Sequence, residues 1–158
     1  MIDWLACTLV KFVGACLCRL PPSVAVWCGE RLGLLAYGLA PTRTRIGVLN
    51  VRAAFDGRLT PDECRRIMYR SYKQLGAGII ELLRLPSIDA AYVDRYITIE
   101  GRDRIERAAA SGRPVVFLTG HYGNWELSSI VAAFIGHPIT ALARVQDKFP
   151  RLYRLLIS

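Results

Sequence analysis

Two apolar runs open the chain, over residues 5–20 and 24–40, and a Pro-Pro pair separates them. Each run is shorter than the roughly 20 apolar residues that a helix needs to cross a bilayer. Charged side chains interrupt both runs, at Lys11 in the first and at Glu30 and Arg31 in the second. The pattern therefore predicts helices that lie in a membrane interface, or one marginal span, rather than two spans.

The best-marked helix of the middle region is predicted to begin at Thr60. Thr60 and Glu63 form a capping box, and Pro61 suits the first helical position. Apolar residues follow at helical spacing as far as Leu83, and Pro86 ends the helix. Its other faces are expected to form a solvated surface, with contact to lipid or to an acidic protein as the alternative. The basic residues of these faces are Arg65, Arg66, Arg70 and Lys73.

After Pro86 the hydrophobic period changes. Residues 96–101, 114–120 and 138–143 are predicted as strands, because their apolar runs are short and contain many β-branched residues. Helices are predicted between them, over residues 102–112 and 124–136. This alternation indicates an α/β fold, in which N-terminal helices precede the first half of a mainly parallel sheet flanked by helices.

The chain has 158 residues, which is enough for one modest domain. Its last stretch, DKFPRLYRLLIS, has no helix cap and no polar tail, so a piece of a longer protein is expected. We predict two parts. Membrane-associating apolar helices occupy residues 1–42. The second part, residues 43–158, contains the middle helical region, which extends to residue 86, and the α/β layer, which residues 96–158 open.

Composition excludes a disordered chain, because 53% of the residues are hydrophobic and 22% are charged. The net charge of +8 is compatible with nucleic acid, with anionic lipid or with an acidic protein partner. No nucleic-acid-binding motif or aromatic platform is present, so binding of nucleic acid rests on charge alone.

The five cysteines are an odd number, and no C-x-x-C pair is followed by histidines. A zinc site is therefore not expected, and buried reduced thiols in a protein that faces the cytosol are the favoured interpretation.

A histidine and a glutamate stand five positions apart in the stretch TGHYGNWEL. Within a single helix, His121 and Glu126 would lie roughly 140° apart around the axis and could not readily meet. They can meet if the helix begins between them, and Asn124 is a good N-cap for such a helix. The two glycines of the stretch let the preceding loop fold back. A first-turn carboxylate is favoured by the helix dipole, and beside an imidazole it stabilises the imidazolium.

This pair predicts a general base with its orienting partner. Ser128 and Ser129 follow in the helix, but no G-x-S-x-G elbow exists, so a serine hydrolase is not favoured. The pair is too small for a metal centre, and His137 is predicted to lie in a loop. A hydroxyl that loses its proton while attacking an activated acyl carbon is the natural reaction. In the alternative, His121 fills the start of the helix and Glu126 is an ordinary first-turn acid.

The stretch GHYGNWEL has the H-x-x-x-x-[D/E] form of the lysophospholipid acyltransferase superfamily. It resembles the version found in bacterial lipid A biosynthesis acyltransferases, which are lauroyl and myristoyl transferases. Residues 43–84 resemble the helical region that precedes the motif in that family. Residues 99–121 resemble the strand-helix-strand segment that leads directly into the motif.

The resemblance implies that residues 43–158 are the N-terminal part of an acyltransferase domain at the cytoplasmic face of the inner membrane. The implied reaction moves a fatty acyl group from acyl carrier protein to a hydroxyl of a glycolipid acceptor, such as a lipid A precursor. By the motif, His121 is the general base and Glu126 its partner. Arg144 follows the third predicted strand and does not map onto the later arginine motif of the family.

The implied partners are acyl carrier protein, the glycolipid acceptor and the lipids of the inner membrane. No cofactor, metal or nucleic acid is expected. The alternative function is that of a catalytically incomplete, membrane-associated fragment that binds lipid or carrier protein.

Overall fold

The structure, a computed structural model, describes residues 2–120 and 122–140, and all regular secondary structure within these residues is helical. The described residues form two compact units, Gly14–Leu83 being one and the residues before and after it the other. The α-helices are α1 (Ile2–Cys18), α2 (Pro22–Leu39), α3 (Pro41–Ala54), α4 (Pro61–Leu83), α5 (Ala90–Tyr96), α6 (Arg102–Ala110) and α7 (Trp125–Phe134), and a short 3-10 turn covers Leu85–Ser87.

The predicted α/β fold with a parallel sheet is wrong for the part of the chain that the structure describes. Residues 97–99 and 114–120 belong to no strand there. Extended segments become a sheet only when their amide and carbonyl groups pair with a neighbouring strand, and these segments have no such pairing. Val116 and Leu118 are 90% and 98% exposed, so this apolar run is not buried between layers. The third predicted strand, residues 138–143, extends beyond the described residues.

Close packing of α2 against α4 organises the unit Gly14–Leu83. Glycines face each other where the two helices meet. A Cβ atom at Gly29 would lie 2.6 Å from the carbonyl oxygen of Gly76, and one at Gly76 would lie 2.7 Å from the amide nitrogen of Gly33. The two backbones can approach this closely only because these positions have no side chain.

The core of this unit lies beside the glycine contact. Leu17, Ala25 and Ile80 are buried together, and Leu83 packs against them. These side chains come from α1, α2 and α4, so the core joins three helices. Because apolar burial is the main favourable term in folding, this small cluster stabilises the unit.

The capping box predicted at the start of α4 is confirmed. The backbone N–H of Thr60 donates to the Glu63 carboxylate at 2.8 Å, and the Glu63 N–H donates to the Thr60 hydroxyl at 3.3 Å. Two amide groups that would lack partners at the helix end are thus satisfied.

The basic residues of α4 are only partly a solvated surface. Arg66 and Arg70 are exposed, as is Arg65. Lys73 is half-buried instead, and its Nζ lies 3.2 Å from Oε2 of Glu30 on α2. The prediction was therefore right for the arginines and missed an ion pair that joins two helices.

Both apolar runs at the start of the chain form helices, as predicted. Several large apolar side chains of α1 remain exposed, with Leu9 at 63% and Phe12 at 68%. Across residues 2–120 and 122–140, no helix combines the length and the hydrophobicity that crossing a membrane requires. The interfacial position of these helices and the division of the chain at residue 42 stay predictions.

We expect Gly76→Ala to lower the free energy of unfolding by about 1–3 kcal/mol, because the new methyl group overpacks the contact with α2. Gly78→Ala is the matched control in the same helix, since a Cβ atom at Gly78 would meet nothing within 4 Å. The control should gain up to about 1 kcal/mol from helix propensity. Chemical denaturation followed by circular dichroism measures both values. Equal effects of the two substitutions would contradict the close contact.

The capping box also predicts a pH dependence. Hydrogen bonds from the backbone and then the side chain of Thr60 lower the pKa of Glu63 below its ordinary value. The ionised box therefore stabilises the fold above the unfolded-state pKa of about 4.3, and this contribution is lost as the pH falls through the lowered pKa.

Glu63→Gln keeps a hydrogen-bond acceptor and removes the titration. The difference in Tm between the wild type and this variant should therefore shrink between about pH 5 and pH 3. Thermal unfolding at a series of pH values measures it. A difference that stays constant over this range would show that the box does not titrate with folding.

Candidate active site

The N-terminus of α7 is defined by a side-chain cap. The Asn124 side-chain oxygen accepts a hydrogen bond from the Leu127 backbone N–H at 3.2 Å, and the helix begins at Trp125. Gly123, just before the cap, has a φ of +61°, a left-handed conformation that glycine adopts without strain. The predicted cap and helix start are confirmed.

Glu126 is the second residue of α7 and lies in its first turn. Its side chain is half-buried. The free N–H groups and the dipole of the helix favour a carboxylate at this position. Among the described residues, no hydrogen bond or ion pair engages the Glu126 carboxylate, so it is available to a group on the preceding loop.

His121 lies outside the described residues, and so does Arg144. The residues on either side of His121 are described, and the Tyr122 N–H donates to the Gly120 carbonyl oxygen at 2.8 Å. Tyr122 itself is 93% exposed. The contact between His121 and Glu126 stays a prediction.

An apolar groove of about 460 Å³ runs along α7. Its walls come from the segment after α5, from α6, from residues 117–119 and from α7 itself. The groove is open to solvent at Leu118. The lining side chains are largely apolar and include Ile97, Ile99, Ile105, Phe117, Trp125, Leu127, Val131, Ile135 and Ile139, with Asn124, Ser128 and Ser129 as polar members.

The groove was not anticipated as a site, although its residues carried a signal. Ile97 and Phe117 belong to segments that were predicted as strands of a sheet. In the structure they line the groove together with α7. Phe117 is 46% exposed, so the buried strand predicted over residues 114–120 is wrong where it lines the groove as well.

A metal centre and a serine hydrolase have little support near α7. In the described ranges, 2–120 and 122–140, no three His, Cys, Asp or Glu residues stand close enough to hold a metal ion. His137 follows the end of α7, and its backbone N–H donates to the Ala132 carbonyl oxygen at 2.8 Å, so the predicted loop position is confirmed. Ser128 is exposed on the helix surface and is not presented on a sharp strand-to-helix turn.

Comparison with known protein families decides between the remaining interpretations. The profile of the bacterial lipid A biosynthesis acyltransferases matches residues 1–158, which is the whole chain. The chain belongs to this family. Searches of curated proteins and of solved structures returned no significant match.

Membership of the lipid A biosynthesis acyltransferase family confirms the family resemblance and gives acyl transfer as the general activity. An acyl donor and a lipid acceptor follow in general terms, and the family is associated with the bacterial inner membrane.

Asn124→Ala should fray the first turn of α7, at a cost of about 1 kcal/mol, because the Leu127 N–H loses its acceptor. Asn124→Asp keeps an acceptor and should preserve the turn. Hydrogen exchange of the Leu127 amide, read against the Phe134 amide at the other end of α7, measures the effect. Unchanged exchange of the Leu127 amide in Asn124→Ala would show that the cap does not hold the helix start.

Proposed function

We propose that this protein transfers a fatty acyl group from the thioester of acyl carrier protein to a hydroxyl of a glycolipid acceptor, such as a lipid A precursor. Family membership supports acyl transfer in lipid A biosynthesis. The carrier-protein donor, the catalytic pair and the position at the cytoplasmic face of the inner membrane are the further parts of the proposal.

In the proposed mechanism, His121 removes the proton from the acceptor hydroxyl as its oxygen attacks the thioester carbonyl carbon. The C–O bond of the new ester forms and the C–S bond breaks. The imidazolium then returns the proton to the leaving thiolate. Glu126 orients the imidazole and stabilises the imidazolium while it carries the proton.

The position of Glu126 carries this proposal. Asn124 caps α7 between the two motif positions, so Glu126 lies inside the helix whereas position 121 precedes the cap in the chain. A continuous helix through the motif would separate the two side chains by roughly 140° around its axis. The observed cap removes that obstacle, and the Glu126 carboxylate has no competing partner within the described residues.

The groove beside α7 supports a substrate with a hydrocarbon chain. Its walls are mainly apolar, and its volume of about 460 Å³ falls within the usual range for small-molecule sites. Asn124 and Trp125, at the N-terminus of α7, line one part of it. If the hydrocarbon chain of a substrate lay in the groove parallel to α7, its thioester end would be near the motif.

The charge of the chain supports the proposed partners. A net charge of +8 favours acidic molecules, which include acyl carrier protein, phosphorylated glycolipids and an anionic inner leaflet. The exposed apolar side chains of α1, such as Leu9 and Phe12, support contact with the membrane.

We expect His121→Ala to lower the rate of acyl transfer by about 100-fold or more, which is the usual contribution of a general base. Glu126→Gln keeps the size of the side chain, removes its charge and should also lower the rate. The measurement is transfer of a radiolabelled acyl group from acyl carrier protein to a lipid A precursor, with membranes that contain the protein.

Asp94→Asn is the control, because it removes a carboxylate charge as Glu126→Gln does, while Asp94 is exposed on α5 and does not line the groove. It should transfer at the wild-type rate. Circular dichroism of each variant separates a catalytic loss from unfolding. Wild-type rates in both His121→Ala and Glu126→Gln would refute the catalytic pair.

A further inference from the structure

Helix α3 packs against α4 through one side only. Gly47 faces Met68, and a Cβ atom at position 47 would lie 2.8 Å from its sulfur. At about 100° per residue, Arg45, Leu49 and Arg52 lie roughly 140–160° around the axis from Gly47. All three are exposed, and no residue of α3 is buried. These three residues form a surface directed away from α4, which we call the α3 face.

The α3 face is basic, and the sequence around it has no acidic residue to balance its charge. Residues 41–55 contain no aspartate or glutamate. Within the described part of the chain, neither Arg45 nor Arg52 takes part in an ion pair. The next acidic residue along the chain, Asp56, lies 3.2 Å from Arg58 and is engaged there. Among the described residues, therefore, no carboxylate pairs with the arginines that produce the positive potential at this face.

Three other basic residues of the Gly14–Leu83 unit are engaged within the fold. Lys73 pairs with Glu30 between α2 and α4, and Arg65 lies 3.5 Å from Asp62 within α4. Arg31 stacks over the ring of Trp27. These basic groups interact with other residues of the fold, whereas the guanidinium groups of the α3 face are exposed to solvent.

Apolar surface accompanies the charge. Leu49, between the two arginines, is 53% exposed, and Ile46 beside it is 48% exposed. Arg45 and Arg52 are seven residues apart, which is about 10 Å along a helix. A partner that matches this face has carboxylates spaced along one side of a helix and a small apolar contact between them.

We propose that the α3 face is the docking surface for the acidic carrier protein that delivers the acyl group. The identity of the partner rests on the proposed function, and the surface rests on its charge complementarity with an acidic protein. A bilayer surface is the less favoured occupant, because interfacial binding scales with buried apolar area and this face offers only Ile46 and Leu49. Exposed arginines at the edge of an interface speed the association of two proteins and fix how the partners align.

The test compares two double variants that remove the same charge. Arg45→Gln with Arg52→Gln should weaken the affinity for acyl carrier protein by about tenfold, as expected for loss of two complementary charges. Arg66→Gln with Arg70→Gln is the matched control on α4. Those arginines are also exposed and have no ion pair among the described residues. The control affinity should stay within about twofold of the wild type. Fluorescence anisotropy of labelled acyl carrier protein measures the Kd.

Kinetics provide a second measurement that a structural defect would not reproduce. In the α3 double variant, the KM for acyl carrier protein should rise with little change in kcat. With acyl pantetheine, a thioester that lacks the protein part, the variant should match the wild type. A KM increase for both donors would overturn a docking role.

Two binding results would also overturn the proposal. Equal weakening in the two double variants would show that only net charge matters. Unchanged affinity for the carrier protein, with lost binding to phosphatidylglycerol vesicles, would assign the α3 face to the membrane.

The outcomes separate this inference from the proposed function. His121→Ala should bind acyl carrier protein as the wild type does, because the α3 face is intact, while its acyl transfer is lost. If the wild type transfers no acyl group from either donor, the proposed function fails, and the Kd values of the two double variants still decide the docking surface.

Discussion

Direct backbone contact between α2 and α4 is the constraint on which the unit Gly14–Leu83 depends. Gly29 and Gly33 present no side chain to Gly76, so the helices approach until backbone atoms touch. This approach brings the apolar side chains near the crossing into one core and leaves the remaining faces to solvent. Since α3 then rests on α4 through Gly47, its opposite side has no neighbour in the unit. The exposed basic face of α3 is thus a consequence of how α2, α3 and α4 pack.

A different constraint shapes the region that contains the motif. One side-chain hydrogen bond, from the Leu127 N–H to Asn124, determines where α7 begins. The helix start places Glu126 in a first turn, where unpaired amide groups favour a negative charge. A general base on the preceding loop would thereby have a carboxylate within the same short segment. The apolar groove along α7 adds a surface that suits a hydrocarbon chain.

The basic residues that the structure describes fall into two groups, those held in ion pairs and those outside ion pairs. Some basic side chains are held in local pairs, such as Arg102 with Glu106 at 2.8 Å and Arg107 with Asp103 at 2.6 Å in α6. Exposed pairs of this kind contribute little to stability, and their fields largely cancel. The unpaired arginines then dominate the long-range potential. A net charge alone therefore could not show which basic residues are held in ion pairs, whereas the tertiary structure shows this for the residues that it describes.

Local signals in the sequence predicted the helix ends, because a cap depends on residues three positions apart. Thr60 with Glu63 and Asn124 with Leu127 are such cases, and both are confirmed. The same kind of signal was overlooked at Asp89, whose side chain accepts from the Tyr92 N–H and starts α5. The motif of the family was equally readable, since it lies within a single short stretch.

The tertiary structure alone decided which segments pair and which faces meet. The apolar run over residues 114–120 predicted a strand, yet strand pairing depends on a partner that no local pattern specifies, and the described residues provide none. The partner of Lys73 was likewise not readable, because Glu30 is distant in sequence and meets it only when α2 packs on α4. The sequence by itself thus determined where the capped helices α4 and α7 begin and which family the chain belongs to. Contacts between distant residues decided the packing of α2 on α4, the groove and the exposed basic face, because each requires backbone segments to be brought together first.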